Sequence, residues 1–89
     1  MHEVIYTDHA RQDLRILEVK TARRIIKKIF FFSQQPDALA FAKKLTNPLL
    51  GQYRFRIGDY RALFDVDRKG NIQILIILKI KHRKDIYHI

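Results

Sequence analysis

The stretch YRFRIGDYRALFDVDRKGNIQILIILKIK, residues 53–81, decides the fold. Tyr53, Phe55 and Ile57 alternate with Arg54 and Arg56, the two-residue period of a strand. Gly58-Asp59 is a two-residue turn of the kind that takes a positive φ at its first position. Counting outward from it sets Ile57 opposite Tyr60, Arg56 opposite Arg61, Phe55 opposite Ala62 and Tyr53 opposite Phe64. Further on, Ile72, Ile74, Ile76, Leu78 and Ile80 alternate in strict order. A three-residue loop of Arg68, Lys69 and Gly70 sets Val66 against Ile72, Phe64 against Ile74 and Ala62 against Ile76, which gathers the apolar residues on one face. A four-residue loop would turn Gln73 into the core, because a one-residue slip inverts every side chain. Strands are expected at about 52–57, 60–67 and 71–81.

Upstream, HEVIYT reads as a short first strand. Thr7 or Asp8 can cap a helix to about Leu17, with Ala10, Leu14 and Leu17 at helical spacing. Thr21 can open a second helix to about Phe32, with Ala22, Ile25, Ile26, Ile29 and Phe30 as its apolar stripe. Arg23, Arg24, Lys27 and Lys28 lie off that stripe and read as a solvated face. Pro36 and Pro48 bracket a short helix and a loop. No repeat, linker or low-complexity tract interrupts the chain. The expected fold is α+β: one domain over residues 1–89, with a mostly antiparallel sheet of about four strands and an N-terminal helical pair on one face.

Composition narrows the function. The 89 residues hold 18 Lys and Arg against 9 Asp and Glu, a formal net charge of +9. Such an excess favours polyanions, nucleic acid before an anionic membrane or an acidic protein. There is no cysteine, which removes disulfide and thiolate chemistry and fits a reducing cytoplasm. The N-terminus turns polar too soon for a signal peptide, and IQILIIL is far too short to span a bilayer, so a cytoplasmic protein with no membrane role is expected. His2, His9, His82 and His88 lack companion carboxylates at metal-ligand spacing, and no glycine-rich phosphate loop occurs. Neither a metal nor a cofactor is expected. Metal-free phosphodiester chemistry is the catalytic option that survives.

The second face of the sheet is where that chemistry would sit. It is expected to carry Arg54, Arg56, Arg61, Lys79 and Lys81, with Leu63, Asp65, Gln73, Leu75 and Ile77. Like charges directly opposite each other cost a sheet up to about 1 kcal/mol. A phosphate between Arg56 and Arg61 would reverse that cost, since guanidinium forks match phosphate oxygens bidentately. Water and Asp59 or Asp65 could instead absorb the charge. Lys79 and Lys81 extend the patch as RNA-binding residues. Beyond them stand His82, a residue type able to move a proton near neutral pH, then Arg83 and Tyr87. Basic groups interleaved with an aromatic ring suit single-stranded RNA.

The order strand, helix pair, three strands, with LLGQYRFRIGDYRALFDVD and the ending ILKIKHRKDIYHI, resembles the RelE/ParE toxin superfamily across essentially the whole chain. The resemblance implies a toxin of a type II toxin–antitoxin module. RelE-like members are ribosome-dependent mRNA endoribonucleases that cut in the decoding A site, leaving 2′,3′-cyclic phosphate and 5′-hydroxyl ends. It implies that Arg54, Arg56, Arg61, Arg83 and Tyr87 match the family's basic and aromatic active-site positions, with lysine in place of Arg54 or Arg56 in some members. Arginine keeps its proton and cannot be the general base. His82 is therefore expected to take the 2′-hydroxyl proton, with Arg56 and Arg61 on the phosphorane, Arg83 on the leaving oxygen and Tyr87 against the substrate. The implied partners are a cognate antitoxin, the ribosome with mRNA in its A site, and operator DNA for the toxin–antitoxin complex. ParE-like members, which keep the scaffold and poison DNA gyrase, are the alternative, followed by a degenerate toxin that serves as an antitoxin-binding module.

Overall fold

The computed structural model describes residues 2–86. Strand β1 (His2–Tyr6) leads into helices α1 (Asp8–Arg15) and α2 (Val19–Ser33), a 3-10 turn (Ala38–Phe41), and strands β2 (Ala42–Lys44), β3 (Tyr53–Ile57), β4 (Tyr60–Lys69) and β5 (Ile72–His82). The five strands form one sheet in the order β1-β5-β4-β3-β2. Only the β1–β5 pair is parallel. The extra strand is β2, which pairs Ala42 with Phe55 and Lys44 with Tyr53 inside the segment expected to be helix and loop.

Thr7 starts α1 as expected, its Oγ1 accepting from the Ala10 N–H at 3.2 Å. That helix ends at Arg15, and α2 begins at Val19, two residues before Thr21. The stripe buried by α2 is Ile25, Ile29, Phe32 and Ser33. Ile26 and Phe30 are 42% and 62% exposed; they lie about a hundred degrees to one side of Ile25 and Ile29 on the helix wheel. Phe32 packs at a tilt against Phe55 (4.7 Å between centroids), and Phe55 stacks on Phe64 (4.3 Å), so an aromatic column ties α2 to the centre of the sheet. Ala10, Leu14, Ile57, Ala62, Leu75, Ile77 and Ile80 complete the core on that face.

The β3–β4 register is as the sequence predicts, down to Arg56 opposite Arg61. Gly58 has φ 59°, and no non-glycine residue in the described chain has a positive φ, the pattern of a II′ turn. The β4–β5 register is not as expected. Gly70 (φ 60°) and Asn71 make a second two-residue turn, so Lys69 pairs with Ile72, Val66 with Leu75 and Phe64 with Ile77. A register shift then leaves Leu78 as an extra residue, and Leu63 pairs with Lys79, Ala62 with Ile80 and Arg61 with Lys81. Leu75 and Ile77 consequently face the helices, while Ile74 and Ile76 share the opposite face with Asp65 and Asp67. The bulge restores parity: Ile80 returns to the core while Lys79 and Lys81 stay on the other face.

That bulge sits where β1 stops. β1 covers β5 only from Gln73 to Ile77. Thr7 then takes over, its backbone N–H and its hydroxyl donating to the Ile77 carbonyl and the hydroxyl also to Leu78 O, at 2.9–3.0 Å. Asp13 of α1 finishes the edge by accepting the Ile80 N–H at 2.9 Å. Side chains from two elements thus replace the missing strand, satisfying backbone groups that burial would otherwise orphan.

Candidate functional site

The face of the sheet turned away from the helices carries Arg54, Arg56, Arg61, Leu63, Lys79 and Lys81 along three adjacent strands. Arg61 is its centre. Only 8% exposed, Arg61 uses Nη1 to donate to the carbonyls of Gly58 (3.0 Å) and Tyr60 (2.9 Å), curling its guanidinium onto its own hairpin turn. Burial holds its pKa below the usual arginine value. Arg54, Arg56 and Arg83 push the same way by like charge, against Asp59. Arg61 therefore lies in the field of three other guanidinium groups.

Arg83 joins them through a latch. After β5 the chain turns back, its Arg83 N–H donating to the Asp59 carbonyl at 2.7 Å and its Nε lying 3.6 Å from Asp59 Oδ1. The turn ends with Ile86 buried, as Leu63 is, and both lie outside the main core cluster.

The remaining candidates are arranged differently. Lys79 stands on the arginine face opposite Leu63. Lys81 shares that face in register, yet its Nζ reaches Asp13 Oδ1 at 3.3 Å, so its charge is already met. His82 pairs with Tyr60, one residue out of phase with Arg61, so alternation sends it to the other face. There its ring meets the Tyr60 edge at 5.3 Å, and its Nδ1 accepts the Lys84 N–H at 3.2 Å. Nε2 takes no part in either interaction. Tyr87 lies outside the described residues.

Two acidic residues, Asp13 and Asp59, shape this site, and only Asp59 is singled out by the sequence. Asp13 is 67 residues from the Ile80 amide it accepts, and nothing near it in the chain announces such a bond. Asp59 was legible as a turn residue, though its role as the anchor of Arg83 depends on where the chain returns after β5.

A cationic surface with a buried guanidinium at its centre can bind an anion and stabilise charge that grows on it. Arginine supplies donors only, so proton removal needs another group.

The family model described as the ParE toxin of the type II toxin–antitoxin system parDE matches residues 4–87. Toxin RelG of Mycobacterium tuberculosis is 32% identical over 87 residues, covering 97% of this chain and 95% of that toxin. Among solved structures, the toxin–antitoxin complex RelBE2 of Mycobacterium tuberculosis aligns with a TM-score of 0.72 and 29% identity, over 91% of this chain and 96% of that one. The archaeal RelE–RelB complex of Pyrococcus horikoshii OT3 aligns with a TM-score of 0.64 and 25% identity, over 92% and 94% of the two chains.

Proposed function

The chain belongs to the RelE/ParE superfamily of toxins of type II toxin–antitoxin systems, and from that premise we propose that it is a ribosome-dependent, metal-independent mRNA endoribonuclease that stops translation. The gathering of Arg54, Arg56 and Arg83 around a buried Arg61 carries this reading.

In the proposed reaction a ribose 2′-oxygen attacks the adjacent phosphorus. The phosphorus–O5′ bond breaks, leaving a 2′,3′-cyclic phosphate on one fragment and a 5′-hydroxyl on the other. Arg56 and Arg61 hold the non-bridging oxygens, whose negative charge increases in the phosphorane. Arg83 meets the charge on the departing O5′, and Tyr87 stacks on or orients the substrate. The 2′-hydroxyl proton passes to His82 through Nε2, since Nδ1 already accepts the Lys84 amide. Because the His82 ring lies on the face opposite Arg61, this step requires the end of β5 to move so that Nε2 comes within hydrogen-bond reach of the 2′-oxygen. Lys79 adds a phosphate contact along the message.

Removal of one charge-stabilising donor costs on the order of a hundredfold in rate. Arg61→Ala should therefore abolish growth arrest and the cleavage of translated messages, with the fold intact. Primer extension on ribosome-bound mRNA, with and without a chelator, reads the position of the cut and its independence of metal. Full toxicity of Arg61→Ala at matched expression would overturn the assignment. A pH–rate profile flat between about pH 5.5 and 8 would remove His82 from the mechanism while leaving the arginines in place.

A cognate antitoxin is the expected partner, as the RelBE2 and RelE–RelB complexes each hold one. An acidic segment laid over the arginine face would silence it. One observation favours a second reading: the matching family model is that of the ParE toxins, whose members act on DNA gyrase. Cells making this protein would then show DNA damage and filamentation before any fall in translation.

A further inference from the structure

Helix α2 carries a second cationic surface that the ribonuclease reading does not use. Lys20, Arg23, Arg24, Lys27 and Lys28 recur at helical spacing along one exposed face. With Phe31 they line a groove of about 520 Å³. The helix contains no acidic residue, and none of the five bases takes part in an ion pair among the described residues. Lys20 and Arg24, Arg23 and Lys27, and Arg24 and Lys28 are like charges four residues apart, an arrangement that destabilises a helix. Among the described residues only Lys28 finds partial relief, over the Phe31 and Phe32 rings at 5.2 and 5.5 Å, and the row gains from an anionic strip laid along it.

Arg24 joins this row to the site already described. A Cβ built on Gly58 would meet the Arg24 guanidinium at 3.3 Å, so Arg24 lies against the same turn residue whose carbonyl accepts from Arg61. The cationic surface thus continues from α2, over the β3–β4 turn, onto the arginine face. The helix rises about 12 Å over the eight steps from Lys20 to Lys28. Over that length a duplex with the charge density of DNA presents about seven phosphates.

We infer that the α2 row is a docking surface for the phosphate backbone of duplex RNA, separate from the cleavage centre and continuous with it through Arg24. The chemistry favours RNA over an acidic protein segment. A helical or extended peptide needs apolar anchors, and on this molecule those lie in a different groove, lined by Val4, Tyr6, Ile26 and Phe30. The α2 row offers one aromatic ring, Phe31, and otherwise only cations. Phosphate-directed docking of this kind positions a nucleic acid without reading its sequence.

The inference goes beyond the ribonuclease reading and stands or falls separately, because it is scored by binding and not by cutting. Labelled duplex RNA is titrated with the Arg61→Ala protein, without ribosomes, across a range of sodium chloride concentrations. Lys20→Gln/Arg23→Gln/Lys27→Gln is compared with Arg11→Gln/Arg15→Gln/Lys69→Gln, which removes equal charge from exposed positions elsewhere. The α2 variant should lose about tenfold or more in affinity near 0.1 M salt, and its log–log salt slope should flatten by about one for each phosphate it no longer neutralises. The control should stay within about threefold. Both variants should melt no lower than the parent. Equal losses in the two variants would mean diffuse attraction and overturn the inference. So would an α2 variant that keeps its RNA affinity but no longer binds a polyglutamate peptide.

Discussion

Arg61 is buried, has no carboxylate bonded to it among the described residues, and shares its surroundings with Arg54, Arg56 and Arg83. Desolvation and like charge both disfavour its charged form, the reverse of what a residue placed for stability alone would meet. A bound phosphate relieves both effects, since it brings acceptor oxygens and opposite charge to the same place. Ligand that binds only the folded state stabilises it, by about 1.4 kcal/mol at ten times its dissociation constant. A domain of this size shifts its melting point by about 4–8 °C per kcal/mol. Inorganic phosphate should therefore raise the melting temperature by several degrees more than chloride at matched ionic strength. Arg61→Ala should lose most of that excess. Equal phosphate shifts in the two proteins would mean that the anion is held elsewhere.

At the scale of the element, the end of β5 is built by side chains from other parts of the chain. Asp13 accepts the Ile80 N–H and draws in Lys81, just past the bulge that returns Ile80 to the core. Asp13→Ala leaves a buried amide without an acceptor, which costs about 1–3 kcal/mol. Asp13→Asn keeps an oxygen for the amide and gives up only the charge toward Lys81 and His9, so its cost should be clearly smaller. Denaturant unfolding of both variants checks the order, and equal losses would assign the stabilisation to the ion pair instead. The same element marks where sequence reasoning stopped. The β3–β4 hairpin was legible because Gly58-Asp59 fixes the turn and Arg54 and Arg56 break the apolar run, leaving one parity. In β5, Ile74, Leu75, Ile76, Ile77 and Leu78 are all apolar, so a two-residue period cannot choose a face. Gly70-Asn71 repeats the grammar of Gly58-Asp59, and a turn read by that analogy gives the observed pairing up to Phe64. The bulge has no local signal. It depends on Thr7 and Asp13, which reach β5 only once the fold is made. The arginine cluster needed no such help on β3 and β4, where parity alone brings Arg54, Arg56 and Arg61 together. The side of the strand taken by His82 follows from the shifted register.

For the whole molecule, charge and size set the scale of the electrostatics. The described chain measures 34 × 28 × 22 Å and the sequence carries a formal net charge of +9. The Debye length is about 30 Å at 0.01 M salt and about 8 Å at 0.15 M. At low salt every charge on this molecule acts on every other; near physiological salt only neighbours interact. The acidic residues that form ion pairs in the described chain are Asp13 and Asp59, too few to offset repulsion between the sheet face and the α2 row. Net self-repulsion opposes compactness, so the melting temperature should climb between about 0.01 and 0.15 M sodium chloride and then level off. Removing Lys20, Arg23 and Lys27 charges from α2 should shrink that climb. The cluster around Arg61 should be left largely unrelieved by chloride, because Arg61 is buried and salt screens buried charges far less than exposed ones. Added salt and added phosphate therefore act on different parts of the protein, the first on its total charge and the second on one site. A melting temperature that falls as sodium chloride is raised would show that the charges attract on balance, and would remove the electrostatic argument for a polyanionic partner along α2.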